Sequence, residues 1–143
     1  MTAADISAVA LGHLATRARD LGLGGRITTE RHDLAATFPA GPFDLVSAHY
    51  LHTAFPLPRD DVLRHAAQAL SPGGRLLVVE HGSVAPWSWN QDPDSYPAEP
   101  QVPSLDPAGW TVERADALTR HATGPGGQTA EVVDHLLLIR RTR

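Results

Sequence analysis

The chain contains neither cysteine nor lysine among its 143 residues. Without cysteine, no disulfide and no thiolate-bound metal can form. All 12 basic residues are therefore Arg, which reads with the abundant Ala, Gly and Pro as the coding bias of a GC-rich genome. The 16 acidic residues outnumber them, leaving a net charge of −4. A nucleic-acid or membrane-surface binder would show a clustered basic excess, so neither partner is expected. The N-terminus lacks the charged start and apolar core of a signal peptide. Strongly apolar runs such as Leu76 to Val79 are too short to span a bilayer, and a cytoplasmic location is the default expectation. Among the 8 His, no metal-ligand spacing such as H-E-x-x-H occurs, so no metal site is expected. No internal repeat recurs at periods of about 20 to 50 residues.

What is present is an ordinary globular composition, 42% apolar and 20% charged. The length fits one domain over residues 1–143, burying roughly 70% of the surface of the unfolded chain. Ser7 can cap a helix, because its hydroxyl accepts an orphan amide of the first turn. Leu11, Leu14, Ala15, Ala18 and Leu21 follow at helical spacing, until Gly22, Gly24 and Gly25 stop it. "RITTERHDL" (26–34) then reads as a strand ending at Asp33. "FDLVSAH" (43–49) reads as a buried strand. "RDDVLRHAAQAL" (59–70) reads as a helix with Asp60 and Asp61 in its first turn, where the dipole favours acids. "SPGG" ends it, and "RLLVVEH" (75–81) is a strand apolar on both faces, as parallel strands are.

Residues 82–108 show no periodicity and are rich in Pro, Ser, Asp and aromatics. They form a long loop with room for one helical turn. Such loops are commonly lids, binding loops or disordered segments. "WTVERADAL" (110–118) and "EVVDHLLLIRR" (131–141) read as a closing antiparallel pair, with residues 119–130 as the hairpin loop. Alternating strands and helices predict an α/β fold with a mostly parallel sheet. Ligands of such sheets bind beyond the carboxyl ends of the strands.

"FDLVSAHYLH", "ALSPGGRLLVVEHG" and the closing strand pair resemble class I S-adenosylmethionine-dependent methyltransferases. In that family the fourth strand often begins Phe-Asp, and the fifth follows a Leu-x-Pro-Gly-Gly turn. The resemblance covers the chain from the family's second strand to its seventh. It implies a three-layer Rossmann-like fold and S-adenosylmethionine as methyl donor. Residue by residue, it makes Asp5, followed by Ile6, the acid that accepts from the ribose hydroxyls. Asp33 and Leu34 become the pair beside the adenine. Ser47, Ala48 and His49 fall at the end of the fourth strand, beside the donor.

One departure from the family pattern dominates. The family begins with a strand, a glycine-rich loop and a helix, all before the ribose acid. Here only Met1 to Ala4 precede Asp5, and four extended residues reach about 13 Å. "GLGG", "SPGG" and "GPGG" do not substitute, since none follows a strand and opens a helix. The fold is thus expected to be incomplete at its N-terminus, with donor binding weak or absent and two central strands left with unpaired edges. Exposed apolar edges invite pairing with another chain, so a homodimer or larger assembly is expected. A longer true gene, a closed gap, association of two chains and a separate polypeptide supplying the missing part all remain open.

Methyl transfer relies mainly on positioning, with a general base needed only if the acceptor must lose a proton. His49 and His52 are candidates, because imidazole titrates near working pH, and His81 is a third. Tyr50 can hydrogen-bond an acceptor or simply pack. Trp87, Trp89 and Tyr96 can wall an acceptor site or cover the end of the sheet. The expected function is methyl transfer to a small-molecule acceptor. The alternatives are a non-catalytic, oligomerising interaction module of the same fold, and an NAD-binding dehydrogenase, which fits the antiparallel ending poorly.

Overall fold

A computed structural model describes residues 1–51 and 56–143. Strand β1 (Thr2–Asp5) runs parallel to β2 (Thr28–Arg31), pairing Thr2 with Thr28 and Asp5 with Arg31. Helix α1 (Ala8–Asp20) crosses between them. The Ser7 hydroxyl accepts from the Ala10 amide at 3.2 Å, and Arg17 and Arg19 sit in the last turn, where cations complement the dipole. Leu11 and Ala18 are the buried residues of α1.

A second sheet holds β3 (Phe43–His49), β4 (Leu70–His81), β5 (Trp110–Thr123) and β6 (Thr129–Arg141) in the order β3-β4-β6-β5. β3 and β4 are parallel, whereas β6 is antiparallel to both β4 and β5. Helix α2 (Arg59–Gln68) buries Leu63, Ala66 and Ala67 against Leu76, Val78, Leu137 and Ile139. This is the principal core. Each large side chain buried there contributes roughly 1.5–3 kcal/mol of transfer free energy.

Several boundaries differ from the sequence reading. α2 stops at Gln68 rather than at residue 70, because the Ala69 carbonyl accepts the Phe43 amide at 2.8 Å and draws the chain onto the sheet. Leu70 is then buried as the start of β4, and "SPGG" lies inside that strand, with Gly73 at φ 81° and a shift of register against β3. β2 is shorter than residues 26–34, since Gly24–Arg26 form a 3-10 turn and Asp33 begins another turn. The closing hairpin is longer than expected. Pairing continues from Thr119↔Val133 to Thr123↔Thr129, so the loop contracts to residues 124–128. Backbone pairing extends strands through polar residues that carry no period-two signal. Residues 82–108 contain neither strand nor α-helix, only 3-10 turns at Pro93–Ser95 and Pro107–Gly109. Asp92 and Asp106 cap these turns, and proline fits their first position because its missing N–H would be unsatisfied there.

β1 and β3 do not pair, so the strands form two sheets. Among the described residues, no hydrogen bond joins residues 1–37 to residues 43–143. The face of the larger sheet opposite α2 carries Leu45, 57% exposed, and the half-buried Leu77, Val79, Leu136 and Leu138. Alternation along the strands puts these residues on one side.

Candidate functional site

A connected polar cluster lies where β3 and β4 end and the β5–β6 hairpin passes. Tyr50 follows β3 with φ 51°, a left-handed conformation that non-glycine residues seldom adopt. Its amide donates to the Val79 carbonyl at 2.7 Å, which ties the turn to β4. The turn aims the phenol across the sheet, where its hydroxyl donates to Asp134 Oδ2 at 2.9 Å. Arg120 reaches the same carboxylate from β5, with Nε 2.5 Å from Oδ2 and Nη2 3.5 Å from Oδ1. Pairing sets His81 opposite Asp134, and Nδ1 of His81 lies 3.7 Å from Asp134 Oδ1. That separation is electrostatic contact rather than a hydrogen bond.

Aromatic rings continue the cluster. Tyr50 stacks on His81 with centroids 4.4 Å apart, and Tyr96 meets His81 edge-on at 5.5 Å. Beside them opens a cavity of about 310 Å³, lined by His81, Ser83, Trp87, Tyr96, Arg120 and Val132, among others. Burial alone would raise the Asp134 carboxyl, but hydrogen bonds from Arg120 and Tyr50 outweigh it and hold the group below its ordinary value. Tyr50 moves the other way: burial, and then its bond to the Asp134 carboxylate, push the phenol up. Tyr50 thus stays protonated and donating.

The residues expected at a donor site divide between the two sheets. Asp5 ends β1, is exposed, and accepts the Ser7 amide at 2.7 Å through Oδ1; Ile6 beside it is 58% exposed. Asp33 follows β2 and accepts the Ala35 amide at 3.1 Å through Oδ1, with Leu34 half-buried next to it. Ser47 and His49 stand on β3 of the other sheet, joined by a 2.8 Å contact between Oγ and Nε2. His49 meets the Tyr50 ring edge-on at 6.5 Å. His52 lies outside the described residues. Trp87 lines the cavity, whereas Trp89 is 94% exposed and does not.

The sequence reading missed Arg120 and Asp134. A signal existed for Asp134: a charge inside the apolar run "EVVDHLLLI" needs a partner when buried. Nothing local marks Arg120 as that partner. Glu80 was missed in the same way. It is buried at 7% exposure and held by Arg59 through bonds of 2.6 and 2.5 Å. Among the described residues, no group of three or more His, Cys, Asp or Glu is placed to hold a metal, and no helix is long and apolar enough to cross a membrane.

Residues 1–74 match the sequence model of a family described as "Methyltransferase domain". No curated protein matches the chain. Solved structures do. One, described with the conversion of a disulfide bond into a thioacetal group during echinomycin biosynthesis, is 22% identical at a TM-score of 0.63, over 98% of this chain and 65% of that one. TehB from Haemophilus influenzae is 14% identical at 0.66, over 98% of this chain and 49% of its own. An S-adenosylmethionine-dependent methyltransferase from Methanosarcina mazei is 16% identical at 0.64, over 98% of this chain and 81% of its own. The chain therefore spans less than two thirds of the first two proteins. At such identities the likeness establishes a shared Rossmann-like methyltransferase fold.

Proposed function

The chain belongs to the methyltransferase-domain family, and on that premise we propose that it serves S-adenosylmethionine-dependent methyl transfer to a small-molecule acceptor, with the donor held weakly by this chain. One observation carries the reading. The carboxylates suited to ribose and adenine sit on the two-stranded sheet, while the acceptor-sized cavity sits on the four-stranded one. Asp5 and Asp33 fit the adenosine half of the donor. Each is exposed at a strand end and has only one oxygen committed to a local turn. The methionyl half finds no such fit. Among the described residues, no glycine-rich turn leads from a strand into a helix. The bound donor would supply an electrophilic methyl on a sulfonium; the chain supplies the polar ends and the aromatic walls.

Calorimetry with S-adenosylhomocysteine, S-adenosylmethionine and NAD tests this reading. The expected result is binding of the first two with Kd on the order of a millimolar, abolished by Asp5→Ala and Asp33→Ala, and no heat from NAD. Nanomolar affinity would refute the weak-donor reading, and NAD binding would refute the methyltransferase.

A second reading is favoured by the open strand edges and the exposed Leu45 face: a non-catalytic module that assembles with further copies of itself. Unpaired edges and apolar sheet faces are association surfaces. Light scattering should then give a dimer or larger, and Leu45→Lys should return a monomer. A monodisperse monomer at high concentration would remove this reading.

A further inference from the structure

We infer that the cavity beside the β5–β6 hairpin binds a small organic carboxylate with a flat body, its anionic head against the Arg120 guanidinium and its body against Trp87. The inference rests on the methyltransferase reading only in calling this ligand the acceptor.

The charge around the cavity is one-sided. Arg120 lines it with 44% of its side chain exposed, and among the described residues no Asp or Glu lines it. The carboxylate that balances Arg120 stands behind it: Asp134 is 7% exposed and forms no part of the wall. The oxygens of Asp134 already receive Nε and Nη2 of Arg120 and the Tyr50 hydroxyl. Nη1 of Arg120 makes no hydrogen bond among the described residues, so a donor remains on the cation that faces the cavity. A carboxylate gains most from such a donor, because a hydrogen bond between ions is about twice as strong as a neutral one.

A second donor lies beside the first. Pairing sets Arg120 opposite Val132, and the Ser83 hydroxyl accepts the amide of the next residue, Val133, at 2.8 Å. Arg120 and Ser83 therefore approach β6 from its two sides, and both line the cavity with Val132. Ser83 uses its oxygen as an acceptor in that bond and keeps its O–H proton to donate. One guanidinium and one hydroxyl suit a planar head with two oxygens. A phosphate monoester carries more charge and a third oxygen, and it would call for a second cation. Among the described residues the wall holds one arginine, and the chain has no lysine.

The far end is apolar and fixed. Ala85, Trp87, Tyr96 and Ala122 supply it. At Gly124, in the hairpin loop, a Cβ would lie 2.5 Å from Cδ2 of Trp87, so the indole rests directly on hairpin backbone. A ring held in this way favours a flat partner, through offset and edge-on contacts. The space of about 310 Å³ is near the lower end of ligand-pocket sizes and suits a body of one or two rings.

The test uses the full chain without any methyl donor. Calorimetry compares 2-naphthoate with 2-naphthamide, which share a shape and differ in charge. Naphthoate should bind about tenfold more tightly, the worth of one charge-assisted hydrogen bond at a partly exposed site. Arg120→Met alone would leave Asp134 buried without its partner, so it is combined with Asp134→Asn. The double variant should lose the preference for naphthoate and keep its affinity for naphthamide. Trp87→Ala should weaken both ligands, and Trp89→Ala, outside the cavity, should weaken neither. Equal affinity of the parent for the two ligands, binding of neither, or a preference that survives the double substitution overturns the inference. Tighter binding of 2-naphthyl phosphate than of naphthoate also overturns it. The two readings fail separately. If S-adenosylhomocysteine binds and naphthoate is not preferred, this inference falls and the methyltransferase stands. If naphthoate is preferred and no donor binds, the carboxylate site stands and the ligand is no longer an acceptor.

Discussion

Replacing Asp134 with asparagine isolates the charge at the centre of the polar cluster while keeping its shape. Asn can still accept from the Tyr50 hydroxyl, now 2.9 Å away. It cannot hold the Arg120 guanidinium by charge, so the Nε bond of 2.5 Å and the Nη2 bond of 3.5 Å both weaken. The longer bond is at the geometric limit and contributes little. One charge-assisted bond is worth about 1.5–3 kcal/mol. Arg120 is 44% exposed and regains water when released, which selects the low end of that range. Asp134→Asn should therefore cost about 1.5–2 kcal/mol at pH 7 in urea unfolding. The pH dependence gives a stricter check. The folded carboxyl sits below its ordinary value, so its stabilisation is complete above the unfolded value of about 3.9 and is lost as pH falls through the lower folded value. The gap between parent and variant should be level from about pH 7 to 5 and close below about pH 4. A gap under about 0.5 kcal/mol at pH 7, or one that persists on acidification, would show that the carboxylate is not held by Arg120 as described.

Two further outcomes follow from the same geometry. Tyr50→Phe should cost about 1 kcal/mol at neutral pH. It should also abolish a loss of stability that the parent shows as pH rises through the elevated phenol value, above about 10, because a raised pKa stabilises only while the group keeps its proton; urea melts at pH 8 and 11 decide this. At Gly82 a Cβ would lie 2.5 Å from Nε2 of the buried His135 ring, whereas at Gly12, inside α1, it would meet nothing within 4 Å. Gly82→Ala should destabilise by about 1–3 kcal/mol and Gly12→Ala should stabilise by about 0.5–1 kcal/mol, so thermal melts of the two variants should move in opposite directions.

Much of the fold was legible because its signals are local. The α1 cap at Ser7, the helical spacing from Leu11 to Ala18 and the strand 43–49 are written in neighbouring residues. The boundary errors share a cause. Residues 119–123 have the composition of a loop, yet they are strand because β6 supplies partners for their backbone. Leu70 continues the apolar stripe of α2, yet it belongs to β4 because the Ala69 carbonyl is taken by Phe43. Hydrogen bonds to residues distant in sequence settled both positions, and no window of neighbouring residues contains them.

The candidate site divides along the same line. His81, at the end of a strand, and Trp87, in the long loop, are candidates from the sequence, and both line the cavity. Trp89, of the same type two residues on, is 94% exposed. Asp134 gave only a weak signal and Arg120 none, although their carboxylate–guanidinium pair organises the cluster.

The sequence by itself determined the succession of elements, the apolar stripe of α2 and the placing of acids at Asp5 and Asp33 after two strands. These depend on residue type and spacing alone. Tertiary structure alone decided that the strands part into two sheets, that Tyr50 turns back to reach Asp134, and that four elements converge on one cavity. The physical reason is separation along the chain. Tyr50 and Asp134 lie 84 residues apart, and only the packed sheet brings the carboxylate, the phenol and the guanidinium within hydrogen-bonding distance of one another.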